Sequence, residues 1–544
     1  MGAVVRRRKA TLTSLRSEGR FLRRLFSSFA SLICGGNVLK LPRPNPPIED
    51  PKPRRGPNME MLKKLGISLL ALLALAGLAS AQKWQALKRV NFQPGAMTLL
   101  TDGTVLLHDE QDNNPQNWYK LTPDKTGSYL NGTVTPIAKT SSSYGPLFFG
   151  SVVLPDGRYI VEGGEYNNNC SGGCWTNLGA IYDPVKNKWT AVNPPPGWTT
   201  IGDAQAILLA DGTYTQANCC DTQQAYFNPK TLSWTNLVNT GKTDRFDEEG
   251  WGLLPDGTIL TVDAINAPHY EIFNPATKKW TTPGVIPVRL EDPSSQEVGP
   301  FVLRPDGTVF AAGAAPPGNP GHTAIYSTKT KTWKAGPDIP KVNGVALACD
   351  DAPSALEING NVLVMTGPPV FNTGAVFFEW DGKKLTKIAG PPNAASDAAF
   401  YGHFLELPTG QLLFTDWSGD MEIFTPKGTY KSAWQPKITS APSSVSRGKT
   451  YVIKGTQFSG LSNGAAYGDD FQDSTNYALV RITNTASGHV FYARTTNPST
   501  YAVQTGTKAE STHFTVSAST ETGASTLEVV TNGIPSAPKQ VTVN

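Results

Sequence analysis

Residues 151–164 read SVVLPDGRYIVEGG: an apolar strand, a tight turn at Asp156-Gly157 and a second apolar strand. Asp-Gly pairs favour the positive φ angles of tight β-hairpins. The same unit recurs six more times, with turn glycines at Gly103, Gly212, Gly257, Gly307, Gly360 and Gly410. An interval of roughly 45–55 residues is in the range of propeller blades, so the sequence predicts a ring of seven β units.

The second half of the unit is a strand, a turn and a strand that bears a tryptophan. Its tryptophans are expected to pack within the blades: Trp189, Trp234, Trp280 and Trp333. Four strands in each of seven units predict a seven-bladed β-propeller over residues 82–435. An open ring would leave an unpaired strand edge. We therefore expect residues 83–87, which resemble a stray outer strand, to pair with the blade of Gly410 and close the ring.

Residues 436–544 have a different texture, rich in Ser, Thr and Gly, with short alternating strands and no helical period. This pattern predicts an immunoglobulin-like (early-set) β-sandwich. The whole chain after residue 81 is therefore expected to be all-β.

The N-terminal residues have the layout of a leader. Lys63 and Lys64 precede an apolar run that ends in Ala79-Ser80-Ala81, which predicts a signal peptide over residues 59–81 and a secreted protein, extracellular or periplasmic. The run is too short for a convincing membrane anchor, so no stable membrane span is expected after cleavage. Residues 1–58 are basic and Pro-rich; a non-native or disordered extension is favoured over a basic nucleic-acid or membrane arm.

Charge is distributed unevenly along the chain. Of 48 Lys and Arg and 44 Asp and Glu residues, residues 1–81 hold 15 and 4, so residues 82–544 carry a net charge of −7. Nothing in these residues has the basic or aromatic signature of a nucleic-acid binder. The acidity of the exported part instead favours a cation or a neutral polar ligand.

The first strand of each propeller blade lines the central channel, so residues at its start and after its partner strand should meet at one face. From these positions we predict two sets of site residues. The catalytic candidates are Tyr401, His403, Asp351 and Glu249, and the substrate-binding candidates are Asp203, Glu248, Glu297, Asp350, Trp251 and Trp417. Each of these carboxylates could instead have a structural role, accepting hydrogen bonds from backbone N–H groups at a strand end. Each aromatic side chain could instead pack within the fold.

Many carboxylates at one mouth repel one another, which raises pKa values unless a cation neutralises them. Oxygen ligands favour Ca²⁺ or Mg²⁺, whereas histidines admit a transition metal. The sequence thus predicts a possible metal ion, calcium or copper, at the channel mouth.

Five cysteines follow residue 81. Cys170 and Cys174 lie in one loop and are predicted to form a disulfide. Cys219 and Cys220 either pair with each other or separate, one of them reaching Cys349, so one thiol remains in either case.

The unit LPDG-strand-GG followed by YDP-x4-W resembles kelch repeats, and seven such units before a C-terminal β domain resemble the galactose oxidase and glyoxal oxidase architecture. That family implies a copper ion held by a Tyr cross-linked to a Cys, by a Tyr-His pair and by a C-terminal-domain His. On this resemblance the metal ligands are His403, His489 and Tyr401. Gln93 and Phe148 stand at the places of the Cys and the cross-linked Tyr, so the cofactor pair is expected to be absent and radical-copper oxidation is disfavoured.

The sequence therefore predicts a secreted kelch-type protein that binds or acts on a carbohydrate or another small polar molecule at an acidic channel mouth. Two alternatives remain open: a copper-dependent oxidase of the galactose oxidase type, and a non-catalytic extracellular binding or adhesion module.

Overall fold

The computed structural model describes residues 82–110, 115–170, 174–468 and 474–544. The predicted extension, residues 1–58, and the predicted signal peptide, residues 59–81, lie outside the described residues. In the described part of the chain, no helix is long and apolar enough to cross a membrane.

Seven antiparallel sheets follow one another along the chain, and we number them as blades 1 to 7. Blade 1 consists of Pro94–Leu99, Val105–Asp109, Trp118–Thr122 and Thr133–Pro136. Blade 2 consists of Gly150–Val153, Tyr159–Glu162, Gly179–Asp183 and Lys188–Val192. Blade 3 consists of Ala206–Leu208, Tyr214–Ala217, Gln224–Asn228 and Ser233–Asn236. Blade 4 consists of Gly252–Leu253, Ile259–Val262, His269–Asn274 and Lys279–Val285. Blade 5 consists of Phe301–Leu303, Thr308–Ala312, Thr323–Ser327 and Thr332–Ala335. Blade 6 consists of Ser354–Leu356, Val362–Thr366, Val376–Trp380 and Leu385–Ile388. A small additional sheet pairs Pro146–Leu147 with Tyr166–Asn167.

Blade 7 contains strands from both ends of the propeller. Its strands His403–Glu406, Leu412–Thr415 and Glu422–Thr425 are completed by Lys83–Ala86, and Ala86 lies opposite Glu422 in the register. The predicted ring closure is therefore confirmed, as are the all-β class and the seven-bladed propeller.

The hairpin turns differ in one detail from the sequence expectation. Only the glycine of each Asp-Gly, Asn-Gly or Thr-Gly pair has a positive φ, for example 78° at Gly103. The Gly103 N–H donates to Leu100 O at 3.0 Å, and the Leu100 N–H donates to Thr104 O at 2.7 Å. These bonds define a three-residue loop with a left-handed glycine rather than a two-residue turn.

The C-terminal region is a curled nine-stranded sheet with its own apolar core. In spatial order its strands are Lys437–Ser440, Thr450–Thr456, Glu510–Thr515, Val490–Thr496, Leu479–Asn484, Gly523–Thr531, Lys539–Val543 and Ser444–Val445, with Ile534–Pro535 beside Gly523–Thr531. The helices of the described residues are three short 3-10 turns, Ala394–Ser396, Ala399–Tyr401 and Ser432–Trp434. The immunoglobulin-like arrangement of the sheet stays a prediction.

One segment leaves the C-terminal sheet and enters the propeller. We call it the channel loop, residues 457–468 and 474–478, and its strand Ala465–Ala466 pairs with Ser354–Leu356, the inner strand of blade 6. Its base is held by Glu406, which accepts hydrogen bonds from Thr475 Oγ1 at 2.7 Å and Asn532 Nδ2 at 2.9 Å. Burial raises the pKa of Glu406 to about 7, against the lowering effect of these two bonds. The C-terminal region thus contributes side chains to the centre of the ring.

Candidate functional site

The inner strands of all blades begin at one face of the ring, which we call the channel face. Three carboxylates from blades 4, 5 and 6 meet there: oxygens of Glu248, Glu297 and Asp351 lie within 4.8 Å of one another. A Cβ added to Gly468 of the channel loop would lie 2.6 Å from Asp351 Oδ1. The loop therefore passes directly beside this acidic trio, and the structure brings together three of the predicted site residues.

His403 starts the inner strand of blade 7 and lies under the channel loop. Its imidazole stacks on the ring of Tyr467, with centroids 4.9 Å apart and planes at 4°. The Tyr467 hydroxyl donates to Phe400 O at 2.8 Å, and both stacked residues are about 2% exposed. Tyr467 is therefore the side chain that the C-terminal region places against His403.

A buried carboxylate lies near His403. Glu110, which follows the second strand of blade 1, accepts hydrogen bonds from the Ala96 N–H and from Trp417 Nε1, both at 2.7 Å, and lies 3.5 Å from His108 Nδ1. A Cβ at position 95 would lie 1.7 Å from Glu110 Oε2. Gly95 is required here because any side chain would displace the carboxylate.

The charge states of these two groups follow from their surroundings. Burial alone would raise the pKa of Glu110, but the neighbouring His108 and His403 side chains and the Ala96 N–H lower it overall. Burial lowers the pKa of His403, although the Glu110 charge and a hydrogen bond to the Tyr401 backbone oppose the shift. At neutral pH the site therefore holds an ionised carboxylate beside a neutral imidazole.

Aromatic rings form a continuous surface around these groups, which we call the aromatic floor: Phe148, Tyr166, Phe371, Phe400, Tyr401, Trp417 and Tyr467. Successive ring centroids are between 4.6 Å, for Tyr401 and Trp417, and 6.4 Å, for Phe148 and Tyr467. Most of these rings are partly exposed, and Phe371 is 41% exposed. A cluster of this kind is a surface on which an apolar ligand face can pack.

Three residues of the aromatic floor have a strained backbone. The φ angles of Phe148, Phe371 and Trp417 are 52°, 59° and 61°, in the left-handed region that bulky residues avoid. Glu248 and Asp351 of the acidic trio share this conformation, with φ of 60° and 50°. Such conformations cost free energy and are frequent at functional sites, although left-handed non-glycine residues also occur in outer turns of the ring, for example at Leu232 and Lys278.

Glu249, a predicted catalytic residue, lies elsewhere. Its carboxylate accepts from Lys242 Nζ at 2.8 Å, and Asp244 lies 2.6 Å from the same ammonium, which also contacts Glu271. The Lys242 side chain has no exposed surface. Burial lowers the pKa of Lys242, but the neighbouring carboxylates reverse the shift and raise it well above its usual range. Glu249 therefore belongs to a buried ion cluster and not to the channel face.

Three predicted substrate-binding residues are also buried. Trp251 is 3% exposed and packs against Phe246 and Trp280, both with centroids at 5.6 Å, so it is a packing residue. Asp350 accepts from the Ala315 N–H at 3.2 Å, and burial raises its pKa to about 7. Asp203 is 6% exposed.

His489, the predicted C-terminal metal ligand, lies on the other side of the ring. Its Nδ1 is 2.7 Å from Glu521 Oε1, and the N–H of the next residue, Val490, donates to Lys125 O. Lys125 belongs to the turn after the third strand of blade 1, on the face opposite the start of the inner strands. His489 and His403 therefore cannot share a metal ion.

Both disulfides link cysteines that are close together in the sequence. Cys170 pairs with Cys174 and Cys219 with Cys220, while Cys349 is a buried free thiol among the described residues. Of the two arrangements left open by the sequence, the structure has the vicinal pair.

Sequence reasoning missed the residues that depend on tertiary contacts. Tyr467 lies in a part of the chain that reads as an ordinary loop of a second domain, and Phe371 and Phe400 lie outside the repeat unit. Glu110 is different, because its position after the second strand of the first repeat already predicts that it lies at the channel face.

Comparisons with known proteins identify the fold only. No family model matches the chain, and no curated protein matches its sequence. A fungal alcohol oxidase of the AA5 family, solved in complex with copper, is 13% identical with a TM-score of 0.50, and the match covers 86% of this chain and 100% of that chain. A virginiamycin B lyase from Staphylococcus aureus, in a catalytically inactive form with quinupristin, is 12% identical with a TM-score of 0.45 over 63% of this chain and 99% of that chain. The seven-bladed propeller of this chain is thus similar in fold to the AA5 alcohol oxidase.

Among the described residues, His403 belongs to no group of three or more His, Cys, Asp or Glu side chains that could hold a metal ion. Among residues 82–110, 115–170, 174–468 and 474–544, three such groups of His, Cys, Asp or Glu side chains have donor atoms within 4.8 Å of one another, and none includes a histidine. One contains Cys219, which is in a disulfide, and another surrounds Lys242. The acidic trio is the remaining group, and its oxygen donors suit a hard cation rather than copper.

Proposed function

We propose that the channel face binds a small polar molecule with one apolar side, and that a carbohydrate is the class that fits best. The observation that carries this proposal is the partly exposed aromatic floor, in which Phe148, Phe371 and Trp417 keep a left-handed backbone. A sugar ring offers an apolar face for Trp417 and hydroxyl groups at its rim. Large aromatic surfaces combined with a few placed polar groups are typical of small-molecule sites.

The acidic trio supplies the polar part of this site. Carboxylates act as hydrogen-bond acceptors, so Glu248, Glu297 and Asp351 are suited to accept ligand hydroxyls. Three oxygen donors within 4.8 Å also suit Ca²⁺. Calcium is therefore the ion we expect at this face, if ligand binding requires one.

The predicted signal peptide, residues 59–81, supports export of the protein. An extracellular or periplasmic location gives the site access to free or surface-bound glycans. We infer a secreted glycan-binding propeller, in which the C-terminal sheet contributes Tyr467 to the floor.

Glycan-array screening and calorimetry of residues 82–544 test this proposal. We expect a neutral oligosaccharide to bind, and Trp417→Ala to weaken its binding about 10–100-fold, since one buried aromatic contact at a binding hot spot contributes about 2 kcal/mol or more. Trp434→Ala is the matched control, because Trp434 is also partly exposed but lies in the 3-10 turn before the C-terminal sheet. Equal affinity in wild type and Trp417→Ala would contradict the proposal.

A second candidate is an enzyme that acts on the same ligand. It is favoured by the ionised Glu110 beside the neutral His403, because a neutral imidazole near an anion can accept a proton. His403→Gln should then abolish turnover of the bound glycan while leaving its dissociation constant within about threefold. Unchanged turnover in this variant would leave binding as the function.

A further inference from the structure

A carboxyl cluster lies where the ring closes, outside the proposed ligand site. We call it the seam cluster, and it comprises Asp397, Asp416, Asp420 and Glu422. Glu422 is the first residue of the third strand of blade 7 and faces Ala86 of the closing strand in the register. Asp416 and Asp420 lie in the loop before that strand, and Asp397 lies in the connection from blade 6. The cluster therefore draws its members from three segments of the chain beside the closing strand.

Hydrogen bonds of the same region hold the N-terminal segment. After the closing strand, the Leu87 N–H donates to Met421 O and the Val90 N–H donates to Gly419 O, both at 2.8 Å. Arg89 Nη1 lies 3.1 Å from Asp420 Oδ1, but the Arg89 side chain is 67% exposed. These contacts tie residues 87–90 to the loop that carries the cluster.

The cluster has more carboxyl groups than counter-charges. Asp397, Asp416 and Glu422 are 6%, 3% and 1% exposed, and neither carboxyl oxygen of Glu422 has a hydrogen-bond partner among the described residues. The charged groups that face it are Asp397, Asp416 and Asp420, with Arg89 on the solvent side of Asp420. Full ionisation would place like charges together in a buried site, which is costly.

Burial is the first cause of the pKa shifts in this cluster. Burial, together with the neighbouring carboxylates, raises the pKa of Glu422 to about 9 and that of Asp397 to about 7. Burial also raises the pKa of Asp416, whereas the Ser418 hydrogen bonds oppose the shift. Asp420 stays ionised, because hydrogen bonds from Ser418 and Asn393 and the Arg89 charge outweigh its desolvation and lower its pKa.

We propose that the seam cluster is a pH-sensitive latch of the propeller ring, closed when its buried carboxyl groups are protonated and loosened when they ionise. Unfolded carboxyl groups titrate near pH 4, so the folded closure binds more protons than the open one above that pH. The stabilisation of the closed ring is therefore fully present below about pH 4. It is lost as the pH rises through about 7, where Asp397 ionises, and then through about 9, where Glu422 ionises. Trp417 lies in the same loop as Asp416 and Asp420, so loosening of the latch also releases one residue of the aromatic floor.

Amide hydrogen exchange at the seam, followed by NMR, tests the latch. The amides of Leu87 and Val90 should lose protection at least tenfold between pH 5 and pH 9, after correction for intrinsic exchange rates, because each pKa unit of difference changes the opening equilibrium about tenfold. In Glu422→Gln, which keeps the shape without the charge, this loss should be several-fold smaller. Asp397→Asn provides the same test if Glu422→Gln does not fold.

Glu291→Gln is the matched control. Glu291 is also buried, with a pKa raised by burial to about 7, but it lies in the connection to blade 5, beside Arg289. It should leave exchange at Leu87 and Val90 as in wild type. Equal protection of these amides at pH 5 and pH 9 would overturn the latch. Restoration of protection at pH 9 by added Ca²⁺ would overturn it as well, by showing a cation site in its place.

Discussion

Replacing Lys242 with methionine is expected to lower the free energy of unfolding at pH 7 by about 3–5 kcal/mol, the range found when one partner of a buried ion pair is removed. Lys242 is the ammonium that Asp244, Glu249 and Glu271 share, and its Nζ also lies 5.1 Å from the centre of the Phe246 ring. Without it, these carboxyl groups must be protonated or stay charged in a buried site. Urea denaturation of wild type and variant measures the difference.

The matched control is Lys331→Met. Lys331 pairs with Asp256 at 3.0 Å, but its side chain is 68% exposed, and exposed ion pairs contribute about 0–1 kcal/mol. Burial raises the pKa values of Glu249 and Glu271, and the Lys242 charge opposes this. Loss of Lys242 should therefore raise these pKa values further and make Lys242→Met less destabilising at pH 5 than at pH 8. Equal effects of the two lysine variants at pH 7 would show that the buried cluster needs no ammonium.

Tyr467→Ala is expected to have two effects, one on stability and one on the site. Removal of a buried aromatic side chain should destabilise the protein by about 3–5 kcal/mol. It should also admit water to His403. Because burial is the main cause that lowers the pKa of His403, this pKa should rise toward its ordinary value of about 6.5. NMR titration of the imidazole protons measures the shift.

Tyr467→Phe separates the two contributions of this residue. The variant keeps the ring on His403 and loses the hydrogen bond from the hydroxyl to Phe400 O, so we expect a cost of about 1 kcal/mol and no change in the pKa of His403. A His403 pKa that is the same in Tyr467→Ala and wild type would show that the channel loop does not shield the imidazole.

The local repeats predict the propeller well because each hairpin carries its own signal. The apolar strands, the Gly157 turn and its six counterparts, and the tryptophan strands are all short-range features. Ring closure was predictable for a different reason: an open ring leaves an unpaired edge, and residues 83–87 were the available strand.

The site was predicted only in part, because its composition depends on which way each side chain points. Glu248 and Glu249 are adjacent in the sequence, yet one joins the acidic trio and the other binds Lys242. The left-handed backbone at Glu248 helps to set these directions, and no pattern in one sequence reveals it. Tyr467 reaches His403 through a loop whose path is set by pairing with blade 6, a long-range contact that periodicity does not encode.

The most direct test of the central claim is a crystal structure of residues 82–544 with the neutral oligosaccharide that binds most tightly. We predict a sugar ring packed on Trp417 and Phe148, with hydroxyl groups toward Glu297 and Asp351. A sugar bound at any other surface, with the aromatic floor free of ligand, would contradict the account.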